Sequence, residues 1–151
     1  MRMRPAVTAV LGLAAWMACA PASGTPMRVL DLYDEPMVLT GDILARYAAG
    51  NPPDPLKMPF VPRIRSAFAR ADIAADPVTG ANEVKLGPYT IAPTRMEDDK
   101  RGNVVVRLLN AGVSSTVTFA FDRTSGDWLI TDIRYGNGET LRKLLQIPAP
   151  R

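Results

Sequence analysis

Histidine is absent from the 151-residue chain, and cysteine occurs only once, at Cys19. Histidine is the commonest general base and a frequent metal ligand, and the cysteine thiolate is the usual sulfur nucleophile. A Ser-His-Asp triad is therefore excluded, and an enzyme built from this chain would depend on carboxylates and tyrosines. We expect no resident metal ion and no cofactor.

The chain also lacks an apolar run long enough to span a bilayer. The uncharged run at residues 5–18 has ~14 residues where a membrane-spanning helix needs ~20, and Pro21 and Gly24 interrupt it. Two arginines precede the run and small residues follow it, which is the order of a secretory signal peptide. The sequence predicts a signal peptide at residues 1–22, cleaved before Ser23, and a periplasmic or secreted mature protein with no membrane span. Cleavage before Pro21 is the alternative.

The single cysteine lies inside the predicted signal peptide. Lipidation at Cys19 would call for a small aliphatic residue such as leucine three positions earlier, where this chain has Trp16. We therefore favour a soluble export product over a lipoprotein. Removal of the leader leaves no thiol, so the mature chain has no disulfide and no cysteine-based zinc site, and its stability has to come from packing.

Blocks of basic residues are likewise missing. The chain has 18 Lys+Arg and 15 Asp+Glu, and the leader removes Arg2 and Arg4 but no acidic residue, which leaves 16 against 15. The runs of basic residues do not exceed the pairs Lys100-Arg101 and Arg142-Lys143. A mature net charge of +1 argues against nucleic acid or an anionic membrane surface as a partner.

Residues 23–151 have the length of one domain, and its first half is predicted to be helical. One or two helical turns at residues 27–33 are expected to close at Pro36. A second helix is expected to begin at Thr40 as N-cap and to end near Gly50, and a third to begin at Pro62. Their apolar positions are Ile43, Leu44, Tyr47, Phe60, Ile64, Ala67, Phe68 and Ala71.

The second half is predicted to form strands at residues 89–96, 104–109, 113–121 and 127–135, with a turn at Gly87-Pro88 before them. Pro93 places the first strand at an edge. Trp128 and Ile130 lie on one face of the last strand, and strict alternation would place the apolar Ile133 on the other face. A β-bulge near Thr131 and Asp132 would return Ile133 to the inner face, and we predict one there. Leu141, Leu144 and Leu145 indicate a short C-terminal helix. Helices followed by an antiparallel meander give an α+β fold.

The residues from Trp128 to Ile133 and from Gly138 to Leu145 are similar to the closing hairpin and helix of the cone-shaped fold named after nuclear transport factor two. Within that fold the chain resembles a bacterial exported family known as domain of unknown function 3828. Tyr33 with the helix at residues 39–49 and the loop at residues 73–83 also carry the resemblance. It implies N-terminal helices packed on a curved antiparallel sheet and an exported location, without an activity. The loop has Asn82-Glu83 where the family tends to have Gln-Asp.

No residue is assigned as catalytic, and six are candidates for ligand binding. Asp132, beside the predicted bulge, can point into a cavity or bond the local backbone. Trp128 can stack on a ligand or belong to the core. Asp76, Asn82 and Glu83 can together bind Ca²⁺ through their oxygen atoms. We favour the alternative that Asp76 caps a turn before Pro77. The six are Asp76, Asn82, Glu83, Trp128, Asp132 and Tyr135.

These residues lead to three functional hypotheses. The first is an exported, non-catalytic interaction domain that uses its sheet face or cone mouth to bind another envelope protein or itself. The second is a carrier of a small apolar or amphipathic molecule in the cone cavity. The third is an enzyme that uses Asp132 as base with Tyr47, Tyr89 or Tyr135 as donor.

Overall fold

The computed structural model describes residues 31–148, with side chains from residue 35 onward. The predicted signal peptide, Cys19 and the side chain of Tyr33 lie outside this part of the chain. Three helices and five strands follow one another, with a short 3₁₀ helix at Pro55–Lys57. They are α1 (Asp31–Ala48), α2 (Pro62–Phe68), β1 (Leu86–Ile91), β2 (Arg95–Met96), β3 (Arg101–Asn110), β4 (Val113–Thr124), β5 (Asp127–Tyr135) and α3 (Leu141–Leu144).

Helix α1 runs through Pro36 without a break, so the predicted division into two helices at Pro36 is wrong. Proline has no N–H to donate to the preceding turn, which usually ends a helix. Here Pro36 is buried, and its carbonyl accepts a hydrogen bond of 2.8 Å from the Thr40 hydroxyl. Thr40 is itself fully buried, so it is an interior helix residue and not an N-cap. Packing of the apolar face outweighs the local preference to stop.

The C-terminal end of α1 agrees with the sequence prediction. Gly50 has a φ of +70°, its N–H donates to Tyr47 O, and the N–H of Asn51 donates to Arg46 O, both at 3.0 Å. This pair of bonds is a Schellman cap, which needs a left-handed residue that glycine provides. Pro62 is the first residue of α2, also as predicted.

The five strands form one antiparallel sheet in the order β1-β3-β4-β5, with β2 beside β3 on the same edge as β1. The α+β prediction is confirmed. The expected edge strand at residues 89–96 is divided, because Pro93 lies between β1 and β2. The predicted turn at Gly87-Pro88 is wrong, since both residues lie in β1, where the pairing with β3 shifts register.

The predicted bulge is present in β5. Ala120 pairs with Asp132 and Phe121 pairs with Ile130, which leaves Thr131 as the extra residue. The Thr131 hydroxyl donates to Ala120 O at 3.2 Å. The insertion brings Ile133 back to the face that carries Trp128 and Ile130, and all three side chains are buried.

The sheet has a buried inner face and a more open outer face. The inner face carries alternate residues of the strands, among them Val106, Phe119 and Ile133, and α1, α2 and α3 add their apolar side chains to the same core. The outer face carries the intervening residues, such as Val105, Thr118 and Ala120. Within residues 31–148, no helix combines the length and apolar character that a bilayer crossing requires.

Residues outside the strands cover the edge of the sheet formed by β5. Ile130 N–H donates to Pro59 O at 2.7 Å, and Val61 N–H donates to Ile130 O at 3.0 Å, so Phe60 forms a parallel bridge with Ile130. Thr140 forms an antiparallel bridge with Arg134 nearby. Both connections fix α2 and α3 against the bulged strand.

Candidate functional site

Asp76 organises the loop that lies over the inner face of the sheet. Its Oδ1 accepts hydrogen bonds from Val78 N–H at 2.9 Å and from the Thr79 N–H and hydroxyl at 2.7 and 3.0 Å. Its Oδ2 accepts a 2.7 Å bond from the Tyr47 hydroxyl. The carboxylate therefore caps the turn that follows it and connects the loop to α1. Val78 is fully buried beneath this turn.

Two tyrosine hydroxyls hold this loop in place by hydrogen bonds. Tyr135, at the end of β5, donates its hydroxyl hydrogen to Pro77 O at 2.7 Å, as Tyr47 does to Asp76. Burial, reinforced by the Asp76 carboxylate, raises the pKa of both phenols well above the usual range. Both hydroxyls are thus neutral donors in the folded protein.

Gly80 lets the loop approach Tyr135 closely. Its φ is +67°, and a Cβ at this position would lie 2.8 Å from two atoms of the Tyr135 ring. Only glycine satisfies both constraints. The close approach closes one side of a cleft between the loop and the β3–β4 hairpin.

This cleft, which we call the hairpin cleft, has a volume of about 710 Å³. Asn110 fixes its floor, since its Oδ1 accepts from Lys85 N–H and its Nδ2 donates to Glu83 O, both at 2.8 Å. Glu83 is the one charged side chain among the described residues that line it. The lining includes Thr79, Glu83, Asn110, Val113, Ser115 and Tyr135.

The suggested calcium ligands are not arranged as a metal site. Asp76 is committed to four hydrogen-bond donors, and Asn82 and Glu83 are exposed further along the loop. In the described part of the chain, no three acidic, histidine or cysteine side chains gather as metal ligands would. The turn-cap interpretation of Asp76 describes the observed geometry.

Trp128 belongs to the core, at 2 % exposure. The Arg123 guanidinium, from the paired position of β4, lies 6.0 Å from the centroid of its ring. Such a cation over an indole face is mildly stabilising. The ring therefore packs inside the protein and presents little surface for stacking on a ligand.

Asp132 lies on the outer face, where its side chain bonds the local backbone, the role favoured for it over pointing into the cone cavity. It pairs with Ala120, whose neighbours Phe119 and Phe121 point inward. The extra residue Thr131 puts Ile133 inside and leaves Asp132 outside. Oδ1 of Asp132 accepts from Ile133 N–H at 2.9 Å and from Arg142 N–H at 3.1 Å. Asp132 thereby anchors the start of α3 to β5.

A second cleft, which we call the outer cleft, surrounds Asp132 and has a volume of about 730 Å³. Partial burial raises the pKa of both Asp132 and Asp122 above the ordinary value. For Asp132, the N–H groups of Arg142 and Ile133 oppose this rise. The charged residues of the lining include Arg101, Asp122, Asp132, Arg134 and Arg142.

The candidate residues thus divide among three places. Glu83 and Tyr135 line the hairpin cleft and Asp76 holds one of its walls, Trp128 is in the core, and Asp132 is in the outer cleft. Sequence reasoning did not single out Asn110, Asp122, Arg134 or Arg142. Asp122 lies just beyond the strand predicted at residues 113–121, and the cleft depends on α3 folding back over the sheet, which the sequence pattern does not show.

The pairing suggested for an enzyme is not formed. Asp132 is on the opposite face from the Tyr47 and Tyr135 hydroxyls, which bond Asp76 and Pro77, and from Tyr89, which packs against the core. The tyrosine and carboxylate that do meet, Tyr47 and Asp76, bond each other, and Asp76 also accepts from Val78 and Thr79. This arrangement stabilises the loop at residues 76–80.

Comparison of the chain with protein-family models, with curated proteins and with solved structures gave no match in any of the three.

Proposed function

We propose that this chain is an exported, non-catalytic interaction domain that binds an uncharged apolar segment of another envelope protein at the hairpin cleft. The observation that carries the proposal is Val113, which is 67 % exposed on the rim of this cleft. An exposed large apolar side chain beside a preformed cleft is typical of an interaction site.

Two further apolar side chains extend this rim. Leu109 and Val84 are each more than a third exposed. Leu109 lines a neighbouring groove that shares Glu83 and Ala111 with the hairpin cleft, and Val84 follows Glu83 in the chain. The lining also offers the hydroxyls of Thr79 and Ser115, which can bond a partner's backbone. An uncharged partner segment fits because the lining has no cation.

We place the chain in the cone-shaped class of nuclear transport factor two and in the exported family of domain of unknown function 3828. The order of helices, antiparallel meander and short terminal helix supports this assignment. The bulge in β5 supports it as well, because a bulge bends a sheet. A measured structure of the mature protein with a flat sheet would contradict the assignment.

Export is part of the same proposal. The charged end, short apolar run and small residues before Ser23 support it. N-terminal sequencing of protein recovered from the periplasm or medium should give Ser23 as the first residue. Full-length protein retained in the cytoplasm would contradict it.

The test of the interaction is a pair of substitutions at exposed valines. Val113→Asp puts a charge on the rim and should abolish capture of a partner from periplasmic extract, or self-association in size-exclusion chromatography. Val38→Asp is the control, because Val38 is 54 % exposed on α1 and lines neither cleft. A monomer that captures nothing, or equal loss in both variants, would contradict the proposal.

A small apolar or amphipathic molecule in the same cleft is the second candidate. A volume of about 710 Å³ is within the usual range of ligand pockets, which supports it. Native mass spectrometry of freshly purified protein should then show added mass that Val113→Asp removes. A carboxylate and tyrosine enzyme ranks behind both, because Asp76 and Tyr47 are held by each other.

A further inference from the structure

We propose that the outer cleft binds a short dipolar ligand, namely a peptide of two or three residues with free termini. Its carboxylate end lies at Arg134 and Arg142, and its ammonium end lies at Asp122 and Glu97. This site is on the outer face of the sheet and is separate from the hairpin cleft, so it stands independently of the proposed function.

The floor of the outer cleft is a small residue surrounded by long polar ones. Ala120 lies at the centre of β4, with Asn103 opposite it on β3 and Asp132 opposite it on β5. Asp122 lies two residues further along the same face, and Arg134 lies across from Thr118 in the other direction. The methyl group of Ala120 leaves space between these side chains. Helix α3 contributes Arg142 and Lys143 above the sheet.

Charge is separated along this cleft. The charges that act on Asp122 come from Arg101, Asp98 and Glu97, so this end has three carboxylates and one guanidinium. The charges that act on Asp132 come from Arg142 and Arg134. Lys143, which forms an ion pair of 2.7 Å with Glu139, lies at the same end. One end is therefore net acidic, and the other has three cations against two carboxylates.

Two of the four groups that would contact the ligand are free of hydrogen bonds in the described part of the chain. The Arg142 guanidinium, in contrast, donates to Pro148 O, and Glu97 accepts from the Asn103 side chain. Within residues 35–148, the Arg134 guanidinium and the Asp122 carboxylate form no hydrogen bond or ion pair with other side chains. Arg134 is exposed and Asp122 is half-buried, so both can be reached from solvent. A charged group left unpaired in a cleft is available for a charge-assisted hydrogen bond.

The spacing of the two ends selects the length of the ligand. Thr118, the pairing partner of Arg134, and Asp122 are four residues apart on β4, which is about 13 Å in a strand. Long side chains reaching inward shorten this span, and an extended peptide covers about 3.5 Å per residue. A di- or tripeptide can reach both ends at once. A single amino acid, with both charges on one carbon, cannot.

The carboxylate of Asp132 makes a lone anion a poor occupant. It lies beside Arg134 and Arg142 and, through Arg142 N–H, holds α3 in place. An inorganic phosphate at the basic end would meet this negative charge without any compensation at the acidic end. A ligand with an ammonium group gains from both ends, which favours the dipolar occupant.

The experiment uses trialanine with free termini as the probe, together with its N-acetylated form and its C-terminal amide. Calorimetric titration of the folded protein at low salt should show saturable binding of the free peptide. Blocking either terminus should weaken binding about three- to tenfold. Binding that ignores acetylation would indicate a simple anion site and would overturn the proposal, as would no saturable binding.

Variants assign each end of the peptide. Arg134→Gln should weaken the binding of free trialanine and reduce its sensitivity to amidation, and Asp122→Asn should reduce the sensitivity to acetylation. Arg65→Gln, on the exposed face of α2, is the matched control and should change neither response. Glu97→Gln and Arg142→Gln replace the first two variants if circular dichroism shows that either fails to fold. If the Arg134 and Asp122 variants lost sensitivity to amidation and acetylation to the same extent, the assignment of the two ends would be overturned.

Discussion

At the scale of single residues, Asp76 is a candidate ligand-binding carboxylate that instead holds a loop together by hydrogen bonds. Four donors share its two oxygens, and one of them is a buried phenol from α1. Each hydrogen bond to a charged acceptor stabilises a fold more than a neutral one does. Asp76 therefore connects two distant parts of the chain, and both of its carboxylate oxygens are engaged in structural hydrogen bonds.

The raised pKa of Tyr47 and Tyr135 predicts a loss of stability in alkali. A phenol whose pKa is higher in the folded state has its full stabilising effect below the unfolded pKa of about 10, and loses it as the pH rises above this value. For each tyrosine the free energy of unfolding should fall by about 1.4 kcal/mol per pH unit above pH 10. Urea denaturation at pH 9, 10 and 11 measures this.

Tyr47→Phe is the corresponding variant. It should lower the free energy of unfolding by about 1 kcal/mol at neutral pH, because the hydrogen bond to Asp76 is lost. It should also remove one of the two tyrosine contributions to the alkaline decline. An alkaline slope identical to that of the native protein would show that Tyr47 ionises freely in the fold.

Gly80 and Gly112 offer a comparison between strain and steric conflict. Both have positive φ, +67° and +81°, but a Cβ on Gly80 would strike the Tyr135 ring, whereas a Cβ on Gly112 would meet nothing within 4 Å. Gly112→Ala should cost about 1 kcal/mol, and Gly80→Ala about 1–3 kcal/mol more. Thermal or chemical denaturation checks the difference. Equal costs would mean that Tyr135 moves aside freely.

The sequence pattern identified some residues that line the two clefts, but it did not predict that these residues form clefts. Asp132 is a candidate because a polar residue beside a bulge can point into a cavity, and Tyr135 is a candidate as a hydrogen-bond donor, but the direction of Asp132 depends on which residue of the strand is the extra one. Asn110 looked like an ordinary turn residue, and its two bonds to residues 83 and 85 are set by tertiary contact. Short-range pattern carries no information on such pairs.

At the scale of elements, the bulge in β5 was predictable and the length of α1 was not. Ile130 and Ile133 can both be buried only if one residue is inserted, so the apolar pattern alone required it. For α1, Pro36 and Thr40 are local signals for an end and a start. Packing of α1 against the core outweighs those signals, and the free energy of this packing depends on residues that are distant in the sequence.

Deletion of Thr131 tests the bulge. Without this residue the pairs Phe121–Ile130 and Ala120–Asp132 would be consecutive, and regular alternation would keep Ile133 on the inner face and Asp132 on the outer face. We expect the deletion variant to fold and to unfold cooperatively, because every buried residue of β5 keeps its face. Thr131→Ala, which keeps the register and removes only the bond to Ala120 O, should cost about 1 kcal/mol. A deletion variant that fails to fold would contradict this expectation and would show that the bend at the bulge is itself needed for packing.

At the scale of the whole molecule, the buried side chains of helices and sheet form one cluster. Trp128 lies within it, and Trp16, the other tryptophan of the chain, falls in the predicted signal peptide. Fluorescence of the mature protein therefore reports on the sheet core alone, while far-ultraviolet circular dichroism reports on all helices and strands. We expect the two denaturation curves to coincide, as in a two-state transition. Separate midpoints would mean that α1 unfolds independently.

The two margins of the sheet are protected by different means. Beside β5, the backbone of residues 59–61 already occupies the hydrogen-bonding positions of Ile130. On the opposite margin, Pro88 lies in β1 and Pro93 separates β1 from β2, so this edge is short and interrupted. Unprotected margins recruit further copies and lead to fibres. Backbone geometry thus protects both margins of this sheet against uncontrolled polymerisation.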